Sequence, residues 1–170
     1  MRSGSSRSGG APSQLTATFL AELLKSGDLQ RHIVKTLQPA YASRYHVMTA
    51  AIEEHLVPLG LTLAPTSREV VGGYFLWLSL PASLRASDVA ARAQAEENVI
   101  IAPGPLFGVS GDSKPDDFGQ GIRLCFSWEE EGKLQEGVER LGRAIRRMQT
   151  SDVTQRPAQG IISPGNHNFH

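Results

Sequence analysis

Cysteine occurs once in the 170 residues, as Cys125, so no intrachain disulfide can staple the fold and no Cys/His zinc cluster can be assembled. That usage suits a reducing compartment. Neither sign of charge is in excess: 17 basic residues face 17 acidic ones, and no global field draws nucleic acid or an anionic membrane to the surface. Neither is therefore expected as a partner. No apolar run approaches the roughly 20 residues of a membrane span, and Met1–Gly10 lacks the hydrophobic segment of a secretory signal. The expected location is cytoplasmic; Arg2 and Arg7 among serines, with no acid before Glu22, leave a mitochondrial presequence as the alternative. What is present is enough apolar sequence for one domain with its own core.

Residues 1–13 are Ser, Gly and Arg with Pro12, a composition that cannot nucleate a packed element and reads as a flexible segment. Leu15, Phe19, Leu20, Leu23 and Leu24 then recur at helical spacing up to the stop at Ser26-Gly27. A second apolar stripe, from Leu29 through Ile33, Leu37, Tyr41, Tyr45, Met48 and Ile52 to Leu56, predicts one long helix kinked at Pro39 and ended by Val57-Pro58-Leu59-Gly60. Beyond it the period shortens. Leu61–Leu63 and Val70–Leu80 read as a hairpin-like strand pair, Ser87–Glu97 as a short helix, and Val99–Ala102 as a buried strand ended by Pro103-Gly104-Pro105. Ser127 to Glu130 has capping-box spacing, and Leu134, Val138, Leu141, Ile145 and Met148 form the buried face of a last helix. Arg143, Arg146 and Arg147 fall near its expected C-terminal end, where cations suit the helix dipole. Residues 149–170 lose periodicity and read as a polar, open or disordered tail. The fold class is α+β: a small sheet covered on one face by helices.

Within this frame Arg123 is the informative residue. In Ile122-Arg123-Leu124-Cys125-Phe126-Ser127, strand geometry sends Ile122, Leu124 and Phe126 to one face and Arg123, Cys125 and Ser127 to the other. A guanidinium stays charged and offers a planar fork of donors that fits a carboxylate or phosphate. Spacing alone leaves two readings, an anion site or a solvated arginine on an edge strand. Gly72-Gly73 opens a strand with unusual backbone freedom, and Pro103-Gly104-Pro105 is a tight turn before a loop. Both have ordinary structural readings. His46 and His55 are too far apart on their helix for a metal pair, and no nucleophile triad is evident.

The order of short motifs carries more than any one of them. Ser8-Gly9-Gly10, Gly27-x-x-x-x-His32, Tyr41-x-x-Arg44, Gly72-Gly73-Tyr74-Phe75-x-Trp77, Pro103-Gly104-x-x-Phe107, Ile122 to Ser127 and Glu136-Gly137-Val138-x-x-Leu141 follow one another across residues 8–148. This succession resembles the C-terminal, small-domain part of class I/II aminotransferases, fold type I enzymes that depend on pyridoxal phosphate.

The resemblance implies that residues 14–148 form an aminotransferase small domain and that Arg123 grips the α-carboxylate of an amino-acid or 2-oxo-acid substrate. It places Gly73, Tyr74 and Phe75 beside the substrate side chain, Phe107 at the small domain's edge of the cleft, and His32 and Tyr41 in packing. The cluster of Tyr74, Phe75 and Trp77 permits aromatic or long aliphatic substrates. The family's chemistry also needs a lysine that forms a Schiff base with the cofactor, in a Ser-x-x-Lys type segment. The four lysines, Lys25, Lys35, Lys114 and Lys133, lack that context, so the cofactor lysine is expected upstream of Met1. No catalytic, cofactor-binding or metal-binding residue is assigned in this chain, and alone it is expected to be inactive. Mixed with pyridoxal phosphate, it should give no lysine-aldimine absorbance near the visible edge; a robust lysine-linked band would sink the reading. The expected partners are the two substrates and either the missing large domain or a full-length homologous subunit. The alternative is a non-catalytic truncated paralogue that binds small carboxylates or pairs with such a subunit.

Overall fold

The computed structural model describes residues 13–63, 72–109, 111 and 118–155. The N-terminal segment with its Ser8-Gly9-Gly10 motif, Val70-Val71, Lys114 and the tail from residue 156 lie outside the described residues. The architecture is α+β, as the alternation of helical and strand periods predicts. Four short strands, β1 (Thr62–Leu63), β2 (Phe75–Ser79), β3 (Ala102–Pro103) and β4 (Gly121–Cys125), pair antiparallel in the order β1-β2-β4-β3. Among the described residues no helix is long and apolar enough to cross a membrane.

Helix α1 (Gln14–Lys25) starts where Ser13 accepts the Thr16 N–H at 3.4 Å, as an N-cap should. None of its residues is buried, so the apolar stripe read from the sequence is real but uncovered. The stripe from Leu29 to Leu56 is divided rather than continuous. It comprises α2 (Asp28–His32), a π-helical turn (Ile33–Leu37) and α3 (Gln38–His55). Pro39 sits in the first turn of α3, which follows the π turn without a break, so its missing N–H and its ring must be accommodated within a continuous helical path. The expected disruption appears just before it: Gln38 N–H donates to the Ile33 carbonyl, one residue wider than an α-turn.

The core lies between the sheet and α3, α4 (Ala86–Glu97) and α5 (Glu131–Gln155), with α5 packed along both other helices. Ile52, Leu56, Leu78, Val89, Ile122, Leu141 and Ile145 are fully buried there. Leu76 and Leu78 on β2 and Ile122 and Leu124 on β4 point inward, so Phe75, Trp77, Arg123 and Cys125 are left on the opposite face of the sheet.

Three local expectations fail for identifiable reasons. Val99–Ala102 is not a buried strand: only Ala102–Pro103 pairs, and Ile100 is 81% exposed. Asn98 ends α4 with φ 52°, and Val99 N–H turns back to the Ala93 carbonyl at 3.1 Å, so it is withdrawn from the ladder. The capping box at Ser127 is not used. α5 begins at Glu131, and Ser127 Oγ lies instead 3.3 Å from Cys125 Sγ. The last helix also runs on to Gln155, so Arg143, Arg146 and Arg147 are interior to it rather than in its final turn.

Two of those arginines tie the helices together. Arg143 donates to Glu97 Oε2 at 2.9 Å and Arg147 reaches Glu97 Oε1 at 2.9 Å, fastening the end of α4 to α5. The Glu97 side chain is 8% exposed. Hydrogen bonding from Arg143 and the charges of both arginines outweigh desolvation and hold its carboxyl below the ordinary glutamate value. A depressed folded pKa stabilises the fold fully above the unfolded-chain value of about 4.3. That contribution is lost as pH falls below it. Glu97→Gln is therefore expected to lower the melting temperature at neutral pH and to flatten its decline on acidification, as thermal scans from pH 7 to 3 would show. Parallel acid profiles for the two proteins would refute the assignment.

Candidate functional site

Arg123 stands in the middle of β4, opposite Trp77 on β2 and Ala102 on β3. Its guanidinium carbon lies over the Phe75 ring, 4.0 Å from the centroid, and over the Phe107 ring at 4.4 Å. Phe75 belongs to β2; Phe107 closes the 3₁₀ turn Gly104–Phe107 that follows β3. The two rings therefore reach the arginine from the strands on either side of its own. Among the described residues Arg123 has no ion pair and no side-chain hydrogen bond. The side chain lies on the open face of the sheet and its charge rests on aromatic faces.

The Phe107 side of this arrangement is supported from behind. Trp77 meets Phe107 edge-on at 5.7 Å and Phe118 at 5.9 Å. The indole lies against Gly121, where an added Cβ would come within 2.2 Å of Trp77 Cζ2. On the other side, Phe75 meets Tyr74 at 6.4 Å, and Tyr74 meets Tyr41 of α3 at 5.2 Å. Of the residues singled out from sequence, Phe75 and Phe107 thus converge on Arg123. Tyr74 makes its ring contacts with Tyr41 and Phe75 instead, and Gly73 sits at φ 92° with open space at its Cα. Trp77 enters as a buttress, and Phe118 is a residue the sequence does not single out. Their signal lies in Gly104, which reads as a turn glycine in sequence, and in Gly121, each of which leaves room for a neighbouring group.

The described residues do not fit a covalently held pyridoxal phosphate. Lys25 is ion-paired with Glu22 on exposed α1, Lys35 lies in the π turn, and Lys133 lies in the first turn of α5. None touches the Arg123 cluster. Beside Cys125 and Trp128 a groove of about 580 Å³ runs along α5, lined by Val99, Ile100 and Leu134 with Lys133 at its rim. Among the described residues no group of three or more Cys, His, Asp or Glu is placed to hold a metal ion.

The chain thus carries, on the open face of a small antiparallel sheet, a strand arginine with no ion-pair partner among the described residues. It belongs to the fold type I, pyridoxal-phosphate-dependent aminotransferases and corresponds to their C-terminal part. It is 37% identical over 142 residues to the uncharacterized protein YER152C of Saccharomyces cerevisiae, a match spanning 83% of this chain and 30% of that protein. It is 30% identical over 132 residues to 2-aminoadipate transaminase of Thermus thermophilus, spanning 78% of this chain and 30% of the relative. The solved structure of LysN, the α-aminoadipate aminotransferase of Thermus thermophilus, complexed with N-(5'-phosphopyridoxyl)-L-leucine, superposes with a TM-score of 0.62 at 29% identity. That match spans 78% of this chain and 31% of LysN. The chain thus spans about a third or less of the length of these relatives. No family model matches it.

Proposed function

We propose that this chain supplies the substrate-carboxylate grip of a pyridoxal-phosphate-dependent aminotransferase, which moves an amino group from an amino acid to a 2-oxo acid. The observation that carries this reading is the Arg123 guanidinium, held against Phe75 and Phe107 with no internal anion among the described residues. The cofactor would supply the amino-group chemistry and a lysine elsewhere its attachment. Arg123 takes no part in proton transfer. It receives the α-carboxylate in its planar fork and so fixes the Cα of the substrate in space, a contribution of orientation. The partners proposed are the cofactor-binding portion of such an enzyme or a full-length homologous subunit, and α1 offers an uncovered apolar face for either.

The direct test is a titration of the 15N-labelled chain with pyruvate, following the arginine Nε–H signals. The Arg123 signal, identified by its loss in Arg123→Gln, is expected to shift and saturate while the other arginines stay still. Uniform small shifts of all arginines would sink the proposal. The second reading, a non-catalytic carboxylate-binding or subunit-pairing module, draws on the same arginine together with the uncovered α1 face. It differs in requiring no turnover when the cofactor-binding partner is supplied.

A further inference from the structure

Seven aromatic and cationic side chains form one row of contacts that starts at Tyr41 of α3 and continues onto the open face of the sheet: Tyr41, Tyr74, Phe75, Arg123, Phe107, Trp77 and Phe118. Each touches the next, through ring contacts of 5.2 to 6.4 Å and the two arginine contacts of 4.0 and 4.4 Å. We infer that Phe75 and Phe107 are positioning residues that pre-orient the Arg123 guanidinium by cation–π contact while leaving its N–H donors to the incoming carboxylate. The inference rests on the carboxylate-grip reading of Arg123.

The argument turns on what else could fix a long cation. A free arginine side chain carries more rotamer entropy than most, which binding must overcome if the side chain is not already ordered. Proteins usually order an arginine with a carboxylate or carbonyl, as Arg143 and Arg147 are ordered here by Glu97. That solution occupies the fork and neutralises the charge, so it would disable a carboxylate receptor. Phenyl rings avoid the conflict. They attract the cation through their π faces and contain no lone pair that competes for the N–H groups. Two of them, arriving from β2 and from the turn after β3, restrict the guanidinium from two flanks.

The row also explains why the rings themselves stay in place. Phe75 is 45% exposed and belongs to no core, yet Tyr74 and Tyr41 link it to α3. Phe107 closes a short 3₁₀ turn, and Trp77 with Phe118 backs it from the sheet side. The receptor is thus ordered before its ligand arrives, which lowers the cost of binding.

The test uses the whole chain, with pyruvate as the probe and the Arg123 Nε–H signal as the readout. Phe107→Leu keeps apolar bulk and removes the π face; Phe107→Tyr keeps both. The leucine variant is expected to raise the pyruvate dissociation constant about three- to thirtyfold and to mobilise the Arg123 Nε–H vector, with the tyrosine variant within about twofold of the parent. If Phe107→Leu does not fold, Phe75→Leu at its half-exposed position decides by the same measurement. An unchanged dissociation constant and an equally ordered Arg123 in the leucine variant would overturn the clamp while leaving the carboxylate reading intact. A parent chain whose Arg123 signal ignores pyruvate would overturn both.

Discussion

Arg123→Gln is expected to lower kcat/KM of the proposed aminotransferase assembly about 30- to 4,000-fold, the range found when one partner of a hydrogen-bonded charge pair is truncated. The substitution keeps two donors on a shorter, neutral side chain, so it removes both the attraction for a carboxylate and the fork that sets its angle. The loss should divide between the two kinetic constants. The part of the grip shared by ground and transition states appears in KM, whereas loss of orientation at Cα appears in kcat. Arg123→Lys is the informative companion. It restores charge without the planar fork, and should recover part of KM with less effect on kcat. Stability is a separate matter: Arg123 lies outside the core and has no ion pair among the described residues, so either variant should melt within a few degrees of the parent. Steady-state kinetics on parent, Gln and Lys forms with one amino acid decide the point. A glutamine variant within about threefold of the parent would remove Arg123 from the grip.

Much of what positions Arg123 was legible because it is local. The alternation Ile122, Arg123, Leu124 in a strand period fixes opposite faces with no knowledge of partners, and the buried positions agree. The stripe Leu134, Val138, Leu141, Ile145 likewise specifies the face of α5. What escaped was non-local or decided by backbone detail. Phe75 and Phe107 reach Arg123 only because β4 inserts between β2 and β3, a strand order that no spacing in the sequence encodes. Val99-Ile100-Ile101 is apolar enough for a strand, but the left-handed Asn98 turns the chain so that Ile100 faces outward. Ser127 and Glu130 have the right spacing for a cap, yet the strand's exit carries the chain to Glu131 before the helix starts. Helical periodicity in α1 correctly announced an apolar face. It could not say whether this chain covers that face, because amphipathicity records only that something apolar suits it.

Gly104→Ala is the substitution expected to damage the fold and the site together. A Cβ at Gly104 would stand 2.0 Å from the Phe118 carbonyl oxygen, 2.8 Å from that of Gly121 and 3.0 Å from the Phe118 carbonyl carbon. All three obstacles are backbone, so no side-chain rotation relieves them, and the 3₁₀ turn must part from the segment leading into β4. Overpacking of this kind costs roughly 1–3 kcal/mol and sometimes more, enough to lower the melting temperature by several degrees in a domain this size. The displaced pieces carry Phe107 and Phe118, so the contact on Arg123 and the buttress on Trp77 should loosen as well. Two other glycines calibrate the effect. At Gly121→Ala the three nearest obstacles are all atoms of the Trp77 indole, the first at 2.2 Å, a side chain that can turn aside at smaller cost to stability but with loss of the Phe107 support. Gly108→Ala meets the Pro105 carbonyl oxygen at an ordinary 3.5 Å and should be close to neutral. Thermal unfolding of the three variants should therefore rank Gly104→Ala as least stable, then Gly121→Ala, then Gly108→Ala. If Gly104→Ala melts together with Gly108→Ala, the turn is not pressed against the 118–121 segment and Phe107 owes its place beside Arg123 to something else.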